Sequence, residues 1–141
     1  MKDLYNNLDI ESILDPVALS STGDEDGIDL AGANSAVLLF SLGDGTVSDS
    51  NKLTIKLEHA DDDGTGSAGS YSEVEAKDVL GVDSVSDGVI LSIEDDEQVY
   101  KRGYVGGKRF LKVTWTRGES FSCHTGIALI KGHLLDAPPI S

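Results

Sequence analysis

The chain has one cysteine, Cys123, in 141 residues, which excludes an intrachain disulfide and suits folding in a reducing cytosol. It has few bases: 11 Lys and Arg stand against 25 Asp and Glu, a net charge of −14. That balance argues against nucleic acid as the main partner, because neutralising phosphates needs a local excess of Lys and Arg. Long apolar runs are missing as well. The start, Met1-Lys-Asp-Leu-Tyr-Asn-Asn-Leu, holds no signal-peptide core, and no segment approaches the roughly 20 apolar residues of a membrane span. The expectation is synthesis in the cytoplasm, with no cleaved signal and no membrane partner. Heptads and internal repeats are also absent. A chain of this length makes one domain and buries roughly 68–70% of its unfolded surface, so it needs no disulfide or metal to hold it.

What is present is unevenly spread. Residues 1–100 contain 23 acids and 4 bases, a net of −19; residues 101–141 contain 2 acids and 7 bases, a net of +5; together they give −14. The bases concentrate between Lys101 and Arg117. Such a division serves a protein that docks on a large partner, since complementary charge sets orientation and like charge rejects wrong partners. It is also what one domain shows when basic strands pair with acidic ones inside it.

Sixteen glycines, three prolines and many Asp/Ser/Thr clusters cut the chain into segments of about 8–12 residues, the spacing of an all-β protein. Leu53, Ile55 and Leu57 alternate with polar residues, as in a half-buried strand. In Arg109–Thr116, the residues Leu111, Val113 and Trp115 share one face. Ser35–Leu42 is a continuous apolar run that reads as a strand covered on both sides, with Val37 and Leu39 in the core. Ile127 and Leu129 belong to a last buried strand. About eight strands predict a single β-sandwich over 17–141, with a jelly roll as the candidate topology. Residues 1–16 keep no strict period and reach Pro16, so they read as an extended N-terminal arm, with Leu4, Tyr5, Leu8 and Ile10 as its apolar contacts. Ser72–Leu80 is the one short helical patch.

Candidate chemistry falls away on inspection. Asp61-Asp-Asp-Gly64 opens like a calcium loop, but Thr65 stands at the third ligand position and Ser72 where the closing Glu belongs. Gly103–Lys108 fails as a phosphate loop, because Arg102 occupies the first glycine position and Arg109 the Ser/Thr position; its glycines read as a turn between strands. Cys123 and His124 are adjacent, so in a strand they face opposite ways and cannot form a nucleophile–base pair. His59 and His133 lack metal-ligand spacing. The expectation is no enzyme, no cofactor and no required metal.

Four stretches resemble small head structural proteins of tailed bacteriophages: Met1–Leu8 leading to Ile13-Leu-Asp-Pro16; Lys52–Gly64 running through Tyr71 to Asp78-Val-Leu-Gly81; Val99–Val113; and Gly132–Pro138. The resemblance implies a capsid decoration (cement) protein. Such a protein sits on the exterior of an icosahedral head as a homo-oligomer, commonly a trimer, with the major capsid protein as its partner. On that reading the partner-binding candidates are Leu4, Tyr5, Leu8 and Ile10 in the arm, and Lys101, Arg102, Lys108, Arg109 and Lys112 in the basic segment. The competing expectation is a carbohydrate- or host-binding β-sandwich of a tail or spike, which would display Trp or Tyr on its surface; Trp115 sits instead on an apolar strand face.

Overall fold

The computed structural model describes Tyr5, residues 8–19 and residues 21–134. Ten strands run in chain order: β1 (Leu8–Leu19), β2 (Gly23–Asp29), β3 (Ala33–Thr46), β4 (Leu53–Ala60), β5 (Ser72–Glu73), β6 (Val79–Leu80), β7 (Val89–Ile93), β8 (Val99–Tyr104), β9 (Phe110–Arg117) and β10 (Ser122–Leu134). One sheet has the order β1-β10-β3-β8-β6; the other has β2-β9-β4, with β5 and β7 sharing the far side of β4. All pairings between these strands are antiparallel. Without the two-residue strands β5 and β6, the orders β1-β10-β3-β8 and β2-β9-β4-β7 are those of a jelly roll. The predicted all-β sandwich is therefore what the chain forms. The patch Ser72–Leu80 contains a single 3₁₀ turn, Ala76–Asp78, between two short strands.

The core lies between the sheets. Leu53, Ile55 and Leu57 from β4 meet Leu111, Val113 and Trp115 from β9 on one side. Leu38 and Phe40 from β3, with Ile127 and Leu129 from β10, form the other side. Trp115 lies over Gly23, where a Cβ would stand 3.0 Å from the indole. Two polar links join the layers. His59 on β4 meets Tyr104 on β8 at 2.8 Å, and Arg102 on β8 donates to the Ile90 carbonyl on β7 at 2.9 Å.

Two expectations are corrected. Val37 and Leu39 are only half-buried, and Ala36, Leu38, Phe40 and Leu42 are the buried residues of β3. The strand is apolar on both faces, so period 2 could not say which face turns inward. Residues 8–16, read as an extended arm, are extended but belong to the sandwich: β1 pairs with β10 from Leu8↔Gly132 to Leu19↔Cys123 and so crosses the expected boundary at residue 17. The missing period has a local cause. A register shift between Ser12 and Leu14 lets the adjacent Ile13 and Leu14 both pack on the core, the effect of a β-bulge.

Candidate interaction surface

The basic segment lies on β8, β9 and the turn between them. Arg109 donates from Nε and Nη2 to the two oxygens of Asp29, both at 2.9 Å, and from Nη1 to Asp62 at 2.6 Å. A planar guanidinium suits such two-point contact with a carboxylate. This bond holds Asp29 below the usual carboxylate range, and the paired carboxylates in turn raise Arg109. Lys108 pairs with Asp61 at 3.6 Å and Lys112 with Asp24 at 3.4 Å. Arg102 spends its guanidinium on the backbone carbonyls of Ile90 and Lys101. Pairing within one domain thus absorbs most of the basic segment. Among the described residues, Lys101 is the cation of the five without an ion-pair or hydrogen-bond partner for its ammonium; it is exposed on β8.

The acidic turn after β4 serves the same arrangement. Asp62 Oδ1 accepts from the backbone N–H groups of Gly64 at 2.7 Å and Gly66 at 3.0 Å, while Asp63 Oδ1 accepts from the Thr65 N–H and hydroxyl. These bonds hold both carboxyls below the ordinary range. Gly64 and Gly66 take φ of +96° and +88°, where L side chains are strained. Farther along, the Tyr71 hydroxyl accepts from Gly27 N–H at 2.8 Å. Arg109, stacked 4.9 Å from the Phe110 ring, and Lys112, 5.9 Å from the Tyr71 ring, complete the cover. Phe110 is therefore buried although it lies on the outward side of its sheet.

In the apolar set, Tyr5 is 75% exposed and Ile10 65% exposed, while Leu8 is half-buried at the start of β1. Leu4 lies outside the described residues. Trp115 and Tyr104 are buried, and Tyr71 and Tyr100 half-buried. Cys123 is buried, and burial pushes its thiol up; His124 beside it is exposed, as strand alternation requires. Buried His59 is held below the ordinary histidine value by desolvation. Tyr104 Oη accepts from Lys108 N–H at 3.1 Å and shares a hydrogen bond with His59 Nδ1 at 2.8 Å.

The sequence did not single out two further features. Asp44, Asp96 and Glu97 bring carboxylate oxygens within 4.8 Å of one another at the Gly43 turn, where Asp96 accepts from Gly45 N–H. Oxygen donors of this kind suit a hard cation such as calcium. An open cleft of about 470 Å³ lies between the β2–β3 and β8–β9 turns, lined by Leu30, Asn34, Tyr104 and Arg109 among others. Its charged wall, Lys108 and Arg109, is already paired with Asp61, Asp29 and Asp62.

The sequence matches no family and no curated protein. Among solved structures, the SPBc2 prophage-derived protein YomS is similar at 14% identity, covering 92% of this chain and 98% of that one with a TM-score of 0.47. A protein of the disulfide-linked pili of Bacillus endospore appendages matches at 10% identity over 95% and 97% of the two chains, with a TM-score of 0.42. PirA matches at 10% identity over 94% and 99%, with a TM-score of 0.34. Scores this low give the likenesses no functional weight.

Proposed function

We propose that this jelly roll is a phage virion structural protein that decorates the outside of the head, binds the major capsid protein and reinforces the shell. The observation that carries the reading is the resemblance of four stretches, spread from Met1 to Pro138, to small phage head proteins. The surface is compatible with a docking role. Exposed Tyr5 precedes an edge strand whose Ile10 is also exposed, and a net charge of −14 keeps an abundant protein soluble before assembly. Docking runs through the N-terminal segment that includes Leu4 and Tyr5. Lys108, Arg109 and Lys112 hold the fold instead. The alternative of a sugar-binding tail module has no tryptophan platform, because the one tryptophan, Trp115, is buried over Gly23; among the described tyrosines only Tyr5 is largely exposed.

The test is co-sedimentation with empty mature heads and with precursor shells. Wild-type protein should pellet with mature heads and stay in solution with precursors. Deleting residues 2–7 should weaken pelleting while leaving the melting temperature unchanged. Equal behaviour with and without heads would refute the role.

A further inference from the structure

The outward face of the β1-β10-β3-β8-β6 sheet is apolar in an acidic protein. None of the chain's 25 Asp and Glu stands at an outward position between Leu8 and Ser12 of β1, Gly126 and Gly132 of β10, Ser35 and Ser41 of β3, Val99 and Gly103 of β8, or at Leu80. Ile10, Leu80 and Val99 are 65%, 59% and 66% exposed there. Contiguous apolar surface of this kind marks an interaction site.

We infer that this face binds the same face of a second copy, as an isologous dimer about a two-fold axis lying between the sheets and parallel to the strands. The argument is in the rows. One row crosses the sheet as Lys101, Leu39, Ala128 and Ser12, and Ser12 Oγ donates to Asp15 at 2.6 Å. The next crosses as Leu80, Gly103, Val37, Ile130 and Ile10. A two-fold along the strands keeps each row level and reverses its order. With the axis over β3, Leu80 of one copy lies over Ile10 of the other, and Lys101 lies over Ala128, one strand spacing of about 4.8 Å from Ser12 and Asp15; each contact occurs twice, as an isologous interface requires. The offset of about 30° in aligned sheet packing leaves the row ends within reach of a lysine side chain. Leu80 thus meets Ile10, and Lys101 comes within reach of the Asp15 carboxylate, the partner that it lacks among the described residues.

Charge and size favour a second copy. Elsewhere two chains of −14 meet acid with acid, whereas here no acid faces acid. Strands about 4.8 Å apart, with same-face residues about 6.8 Å apart, give a face of roughly 600 Å² per copy, near the ~800 Å² per partner of a stable interface. Edge-to-edge growth is blocked on β1 by Pro16, Asp9 and Glu11, devices that protect sheet edges. A two-fold contact makes a dimer, where the phage resemblance implies a trimer.

The full chain, without heads, is examined by sedimentation velocity from about 1 µM to about 1 mM. A dimer is expected. Ile10→Glu and Leu80→Glu should each raise the dissociation constant at least ~100-fold, since each places two unpaired charges in the contact, while their melting temperatures stay at the wild-type value. Lys101→Glu and Asp15→Lys should each weaken dimers about tenfold, and the two together should restore them to within about threefold. A monomer up to about 1 mM, a trimer, or dimers of wild-type strength in both glutamate variants would overturn the inference. So would a monomer that dimerises only after residues 135–141 are removed, which would put the chain's own tail on the face. A monomer whose binding to heads is lost in Ile10→Glu would assign the face to the shell and equally overturn it. Self-association is measured without heads, so its failure is separable from failure of the decoration role.

Discussion

Arg109 shows how a single residue converts the charge division into structure. Its partners, Asp29 and Asp62, lie 80 and 47 positions away, so no local pattern could announce them. The pairing predicts an acid response. Asp29, Asp62 and Asp63 have folded pKa values below their unfolded ones. Their stabilisation is therefore complete above the unfolded value of about 4 and is lost as pH falls through the folded values. The melting temperature should drop from pH 4 to pH 2, and Arg109→Leu should lower it at pH 7 while flattening that drop. His59 works in the same direction at higher pH. Its folded pKa is depressed, so the unfolded chain binds the extra proton first, and stability declines as pH falls below about 6.5. Tyr104→Phe leaves His59 Nδ1 and the Lys108 N–H without their partner. It should cost about 1–3 kcal/mol in urea unfolding; an unchanged midpoint would show that water replaces the hydroxyl.

Elements differ in how plainly the sequence declares them. β4 and β9 alternate apolar with polar residues, so their inward faces are legible residue by residue; Leu53, Ile55, Leu57, Leu111, Val113 and Trp115 are all buried. β3 is not legible in this way. Its outward Val37 and Leu39 are as apolar as its inward Leu38 and Phe40, and only the partner strands decide between them. β1 hides behind its bulge, which places neighbours Ile13 and Leu14 on one side. The basic segment was visible as composition, but its use as internal pairing depended on the fold placing β9 between the acidic β2 and β4, whose following turn carries Asp61 and Asp62. The β3 assignment has a direct check. Leu38→Ala, at 0% exposure, should cost about 2–5 kcal/mol in denaturant unfolding, as cavity-forming core substitutions do. Leu39→Ala should cost about 1 kcal/mol or less, because its side chain is partly in water already. Equal losses would place both faces of β3 in the core.

At the scale of the whole molecule, a jelly roll with an acid-rich periphery presents one largely apolar sheet face and one N-terminal segment with exposed apolar residues. The fold rests on hydrophobic burial and internal ion pairs, so chelation should leave the melting temperature unchanged. A rise with calcium that Asp96→Asn abolishes would instead assign a stabilising ion to the Asp44–Asp96–Glu97 cluster. Decoration makes the strongest demand, since the protein must strengthen a shell that assembles without it. The most direct measurement is the temperature at which heads release their genome, compared between particles lacking this protein and the same particles after purified protein is added back. Decoration predicts a lower release temperature without the protein, restored by wild type and not by the variant lacking residues 2–7. Identical release temperatures in all three samples would contradict it.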